Sequence, residues 1–139
     1  MNDDTLIIGY GNPARADDGF GYRAAERLPG ALAVQQLTPE LMETIARATR
    51  VIFVDASIGG APGEVCRHTI VPCRTGPIFT HHLTPEMLVG GALVLYGRAP
   101  RAEVVTVCGA DWSASENLSP AVAAALEKVV RALRRLRQA

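Results

Sequence analysis

Aromatic side chains are scarce in this sequence, 5% of residues, and its formal net charge is zero, so it offers neither stacking platforms nor an electrostatic footprint for nucleic acid. A small molecule or another protein is the expected partner. No apolar stretch reaches the roughly 18 residues that span a bilayer, which argues against a membrane protein. The opening MNDDTLIIGY carries acids where a secretion signal needs bases, so a soluble, cytoplasmic chain is expected. Cysteine is limited to Cys66, Cys73 and Cys108, an odd number without close CxxC pairing. That disfavours a disulfide framework, a compact zinc site or a redox pair, and leaves reduced structural thiols. Internal repeats, low-complexity tracts and linkers are lacking too. With 139 residues, nearly half of them apolar, residues 1–139 are expected to form one domain with a real core.

What is present is organised around Thr5 to Gly21, TLIIGYGNPARADDGFG. Thr5 to Gly9 is a short, β-branched apolar run of the kind that forms a buried parallel strand. Gly9 and Gly11 permit backbone angles that a Cβ resists, and Asn12 and Pro13 are turn formers, so a tight loop follows. A dinucleotide-binding fingerprint fails here. The third glycine would fall at Ala14, and two carboxylates, Asp17 and Asp18, stand where a pyrophosphate needs donors. The bland reading of these acids is that Asp17 caps the next helix and Asp18 is a solvated first-turn acid. The other is that they stand at the lip of a parallel sheet, where open α/β proteins place their ligands.

Further along, Phe20, Ala24 and Leu28 make a helical stripe over residues 20–28. Ala31 to Leu37 reads as a second strand. Thr38 and Pro39 are placed to start a helix with a Leu41, Ile45 and Ala48 face. Val51 to Val54 (VIFV) is the most strand-like run in the chain and delivers Asp55 at its carboxyl end. Gly63 to Pro72 partly alternates and reads as a less buried edge strand, with His68 an exposed strand residue. Cys73 to Thr80 looks irregular and leads to His81 and His82. Thr84 as cap and Pro85 at the first turn then open a helix with Met87, Leu88, Ala92 and Leu95 on its apolar face. Gly90 and Gly91 weaken that helix and call for close packing there. Glu103 to Cys108 is a further buried strand. Ser119 and Pro120 begin a last helix whose Val122, Leu126, Val129, Val130, Leu133 and Leu136 keep helical spacing. Its Arg131, Arg134, Arg135 and Arg137 form a solvated face that suits the helix dipole.

Strands alternating with helices predict an α/β fold, a three-layer sandwich with a mostly parallel twisted sheet flanked by helices. Asp17 or Asp18, Asp55, and His81 or His82 would then converge on one rim. Two carboxylates and an imidazole suit a divalent transition metal with open coordination positions. They suit equally a metal-free acid/base group. No Ser or Cys has a visible partner for nucleophilic catalysis.

GYGNPARADDGFG, VIFVDAS, THHLTPEML and LSPAV together resemble the maturation endopeptidases of nickel-iron hydrogenases, over most of the chain. The resemblance implies a twisted sheet flanked by helices. It also implies an endopeptidase that removes the carboxyl-terminal extension of the hydrogenase large-subunit precursor once nickel is in place. Matched by motif, the metal-contacting and catalytic set is Asp18, Asp55 and His81. The family often has glutamate at the first position, and His82 adjoins the histidine. Gln36 to Glu40 (QLTPE) resembles the branch serving soluble, cofactor-linked hydrogenases. On this reading the metal is the nickel of the precursor rather than a resident cofactor, and a monomer suffices. The alternatives are a non-catalytic nickel-binding chaperone or checkpoint protein, and a small-ligand α/β domain with surface acids.

Overall fold

The computed structural model describes residues 5–73 and 83–138; His81 and His82 therefore lie outside the described residues. Five strands, β1 (Thr5–Tyr10), β2 (Leu32–Val34), β3 (Arg50–Ser57), β4 (Val65–Thr69) and β5 (Arg101–Cys108), form one sheet in the order β2-β1-β3-β5-β4. β1 pairs parallel to β2 and β3, and β3 parallel to β5, whereas the edge strand β4 runs antiparallel to β5. The helices are α1 (Phe20–Glu26), α2 (Leu41–Arg47), α3 (Pro85–Tyr96) and α4 (Pro120–Gln138). The expected α/β architecture is the one observed.

Period-two alternation along the central strands divides the core between two faces. Ile7, Ile52, Val54, Val105 and Val107 pack with Phe20 and Ala24 of α1 and with Val122, Val129, Val130 and Leu133 of α4. Ile8, Val51, Phe53 and Ala102 pack on the opposite face with Met42 and Ile45 of α2 and with Leu88, Val89 and Ala92 of α3. A sheet covered on both faces is why β1 and β3 read as unbroken apolar runs.

Some local expectations are corrected. β2 is three residues long, because β1, its partner, ends at Tyr10 opposite Val34. α2 starts at Leu41, without a side-chain cap. The carbonyls of Thr38 and Pro39 accept from the amides of Leu41 and Met42, a turn ahead of the helix. Leu95, expected on the buried face of α3, is exposed. That face is instead built on Gly90 and Gly91. A Cβ on Gly90 would meet the Cys73 carbonyl oxygen, and one on Gly91 would meet the Met42 thioether. The expected cap is present, with the Thr84 hydroxyl accepting from the Met87 amide at 3.1 Å. The arginines at the end of α4 do more than face solvent, since Arg137 donates to the Pro29 carbonyl at 2.6 Å and Arg134 to that of Arg27.

Close approach of backbones sets the height of the rim. A Cβ on Gly9 would lie 1.9 Å from the Gly21 carbonyl oxygen, and one on Gly21 would lie 2.0 Å from that of Val54. The start of α1 therefore rests directly on β1 and β3. Gly21→Ala is expected to destabilise the fold by about 3 kcal/mol, because the obstacle is sheet backbone and not a side chain that can rotate. Urea unfolding of the variant checks this, and stability within experimental error of wild type would contradict it.

Candidate active site

In the sheet order, β1 has β2 on one side and β3 on the other, so the chain leaves β1 toward one edge and returns toward the other. Between the carboxyl ends of β1 and β3 lies the crevice that such a reversal opens. Gly9 pairs with Val54, so the next residues along, Tyr10 and Asp55, are neighbours at its mouth. Both continue the alternation toward the α2 and α3 face. The Tyr10 ring meets Phe53 edge-on, with ring centres 6.5 Å apart and planes at 86°. Its hydroxyl hydrogen-bonds the Asp55 carboxyl.

Asp55 is half-buried, and its Oδ1 accepts from the Ala56 amide at 2.7 Å. Burial is the main reason its carboxyl is pushed up from 3.8 to about 6; the Ala56 and Tyr10 hydrogen bonds act the other way, and the charge of Asp18 pushes it further up. Asp18 thus reaches Asp55 electrostatically across the crevice. Burial, followed by the charge of Asp55 and its hydrogen bond, and by the charge of Glu86 at the start of α3, holds the Tyr10 phenol well above its ordinary value.

Asp17 and Asp18 have opposite environments. Asp18 is half-buried in the 3-10 turn Ala16–Gly19, and its Oδ2 accepts from the Asn12 amide at 2.9 Å, which ties the two ends of the opening loop together. Gly11 makes this approach feasible. Its φ is +140°, and a Cβ there would lie 1.9 Å from the Asp18 carbonyl oxygen. Asp17 is completely buried. Its Oδ2 accepts from the amides of Ala110 and Asp111 and from the Ser119 hydroxyl, and its Oδ1 accepts from the Ser119 amide, all at 2.8–2.9 Å. Burial raises the Asp17 carboxyl, but these hydrogen bonds outweigh it and hold the group below its ordinary value. Asp17 does not cap the helix that follows it, as the bland reading had it. It anchors the loop before α4, and the Ser119 hydroxyl is a donor to that anchor.

Backbone pairing completes the join. The amides of Ala16 and Asp17 donate to the carbonyls of Ser115 and Asp111, and that of Ser115 donates to Ala14. Ala16 adopts a left-handed φ of 48°, a strained angle for a residue with a Cβ, where the two loops meet. The loops after β1 and β5 are thereby fastened to each other past the end of β3, leaving Asp18 and Asp55 at the rim. Tyr10 and Glu86 were missed in the sequence. Tyr10 is the last residue of a strand whose register sets it beside Asp55, and register becomes visible only in the paired sheet. Among the described residues no group of three His, Cys, Asp or Glu side chains is placed to hold a metal ion. The expected third member, His81, lies with His82 outside the described residues.

No protein-family model and no curated protein sequence matches the chain. Solved structures do. A [NiFe] hydrogenase maturation protease, HycI, from Thermococcus kodakarensis superposes with a TM-score of 0.77 at 21% identity, over 99% of this chain and 94% of its own. The hydrogenase maturating endopeptidase HybD from E. coli has a TM-score of 0.68 at 25% identity, over 97% and 93%. An endopeptidase from Escherichia coli, at 27% identity over 97% and 93%, has a TM-score of 0.63. Near-complete coverage in both directions makes this chain a structural relative of the [NiFe] hydrogenase maturation proteases.

Proposed function

We propose that the chain is the endopeptidase that removes the carboxyl-terminal extension of a nickel-loaded [NiFe] hydrogenase large-subunit precursor, with Asp18, Asp55 and His81 reading the metal. What supports this reading is that Asp18, in the turn after β1, is near enough to Asp55 of β3 for its charge to push that carboxyl up. Their mutual repulsion is relieved when a cation stands between them. Nickel already held in the precursor is then both substrate and signal, and an unloaded precursor leaves the two charges opposed. Hydrolysis needs a base that takes a proton from water as its oxygen bonds to the scissile carbonyl carbon. The same group returns that proton to the departing amine as the carbon–nitrogen bond breaks. Asp55 occupies that position, with Tyr10 fixing its carboxyl.

The protein is to be incubated with nickel-loaded and nickel-free precursor, and the mass of the large subunit followed. Cleavage confined to the loaded form is expected. Alanine at Asp18, Asp55 or His81 should lower the rate by at least about a thousandfold while unfolding stays cooperative. An intact large subunit that binds the chain only when loaded would make this a checkpoint protein instead. Normal cleavage by all three variants would remove the assignment.

A further inference from the structure

Away from the rim, a groove of about 420 Å3 runs between α4 and the edge of the sheet. Val65 of β4 and Leu136 of α4 present apolar surface to it over a floor of buried Val105, Val129 and Leu133, while Arg67, Lys128 and Arg135 supply positive charge. Among the described residues, no acidic one lines it. Arg67 is held by Glu103, which also takes Arg50, so that trio keeps one net positive charge. Lys128 and Arg135 make no ion pair with any described residue, and the neighbouring Glu127 is engaged by Arg27. Val65 is 43% exposed, an apolar side chain left uncovered on an edge strand. Among the described residues β4 pairs only with β5, which leaves it the edge strand of the sheet.

We infer that this groove is a docking surface for an acidic, apolar-bearing extended segment of the protein substrate, separate from the crevice that holds Asp18 and Asp55. The inference rests on the peptidase reading for the identity of the partner and on the groove itself for the chemistry. Apolar surface accepts alternate side chains of a strand, and the cationic residues favour carboxylates beside them. A second copy of this chain fits poorly. A two-fold contact would set Lys128 and Arg135 of one copy against the same residues of the other. Docking at the groove gives a small enzyme a hold on a larger protein while the tail to be cut reaches the rim.

The probe is a nickel-loaded [NiFe] hydrogenase large-subunit precursor of the same organism. Its affinity is measured for the chain carrying Asp55→Asn, which prevents turnover, with and without Lys128→Glu and Arg135→Glu. Both positions are exposed, so the charge reversals leave the fold intact. The expected result is a dissociation constant raised at least about tenfold and a flatter dependence on salt. In the otherwise wild-type enzyme the same pair should raise KM and leave kcat unchanged. Equal affinity with and without the reversals overturns the docking surface, even where wild-type protein cleaves normally. So does sedimentation of the wild type as a dimer that the reversals dissociate. Absent cleavage combined with groove-dependent binding overturns the peptidase reading and leaves the docking surface standing.

Discussion

Asp55→Asn is expected to abolish processing and yet make the protein harder to unfold, by roughly 3 kcal/mol at neutral pH. A carboxyl displaced from 3.8 to about 6 disfavours the charged folded state. At about 1.4 kcal/mol per pH unit, that displacement amounts to the figure given. Below the unfolded value of 3.8 the group is protonated in both states and contributes nothing. Between 3.8 and about 6 the folded protein holds a proton that the unfolded chain has released, so wild-type stability falls as pH rises; above about 6 the cost is complete and constant. Asparagine keeps an oxygen for the Ala56 amide and the Tyr10 hydroxyl without the charge. Urea titrations of both proteins should therefore agree near pH 4 and separate to a plateau above about 6. A gap that stays level across that range would show that burial of the charge is not what the substitution relieves.

Asp17→Ala should have the opposite character, a loss of about 4 kcal/mol or more of stability. Four donors now satisfied by one buried carboxylate would be left facing a void: the amides of Ala110, Asp111 and Ser119, and the Ser119 hydroxyl. Asp17→Asn should cost less, about half as much, because one oxygen can still serve the three donors at Oδ2 while the amide nitrogen confronts the Ser119 amide. The sign of the pH dependence also reverses. A carboxyl held below its ordinary value stabilises the fold fully above 3.8, and the benefit is lost as pH falls through the folded value. Chemical unfolding followed from pH 7 downward should thus show the gap between wild type and Asp17→Ala narrowing under acid conditions. An alanine variant as stable as wild type would mean that the two loops do not depend on this anchor.

These two substitutions mark what could be read along the chain and what could not. Strands β1 and β3 were legible because a sheet covered on both sides demands unbroken apolar runs, and VIFV supplies one. Helix α4 was legible because Val122, Val129 and Leu133 recur at the helical period. The division of labour between Asp17 and Asp18 was not. They are adjacent acids in the same turn, and what separates them is a set of donors 93–102 residues further on. The antiparallel direction of β4 was equally hidden, since alternation is the same whichever way a strand runs. Asp55 was found from its place just after the VIFV run, although β3 continues past it to Ser57. Its hydrogen bond to Tyr10 depended on register between strands, which no periodicity within one strand encodes.

The glycines beneath the rim bear on how recognition proceeds. With Gly21 seated on the carbonyl of Val54 and Gly9 under that of Gly21, no compressible side chain lies between the first turn of α1 and the strand that carries Asp55. Tilting that turn would mean lifting α1 from the sheet, out of the core that Phe20 and Ala24 occupy. The spacing of the acidic pair is consequently built in before any encounter, and on the proposed reading adjustment would fall to the tail of the precursor. Discrimination under such conditions works like a gauge block, which passes or rejects a part without yielding to it.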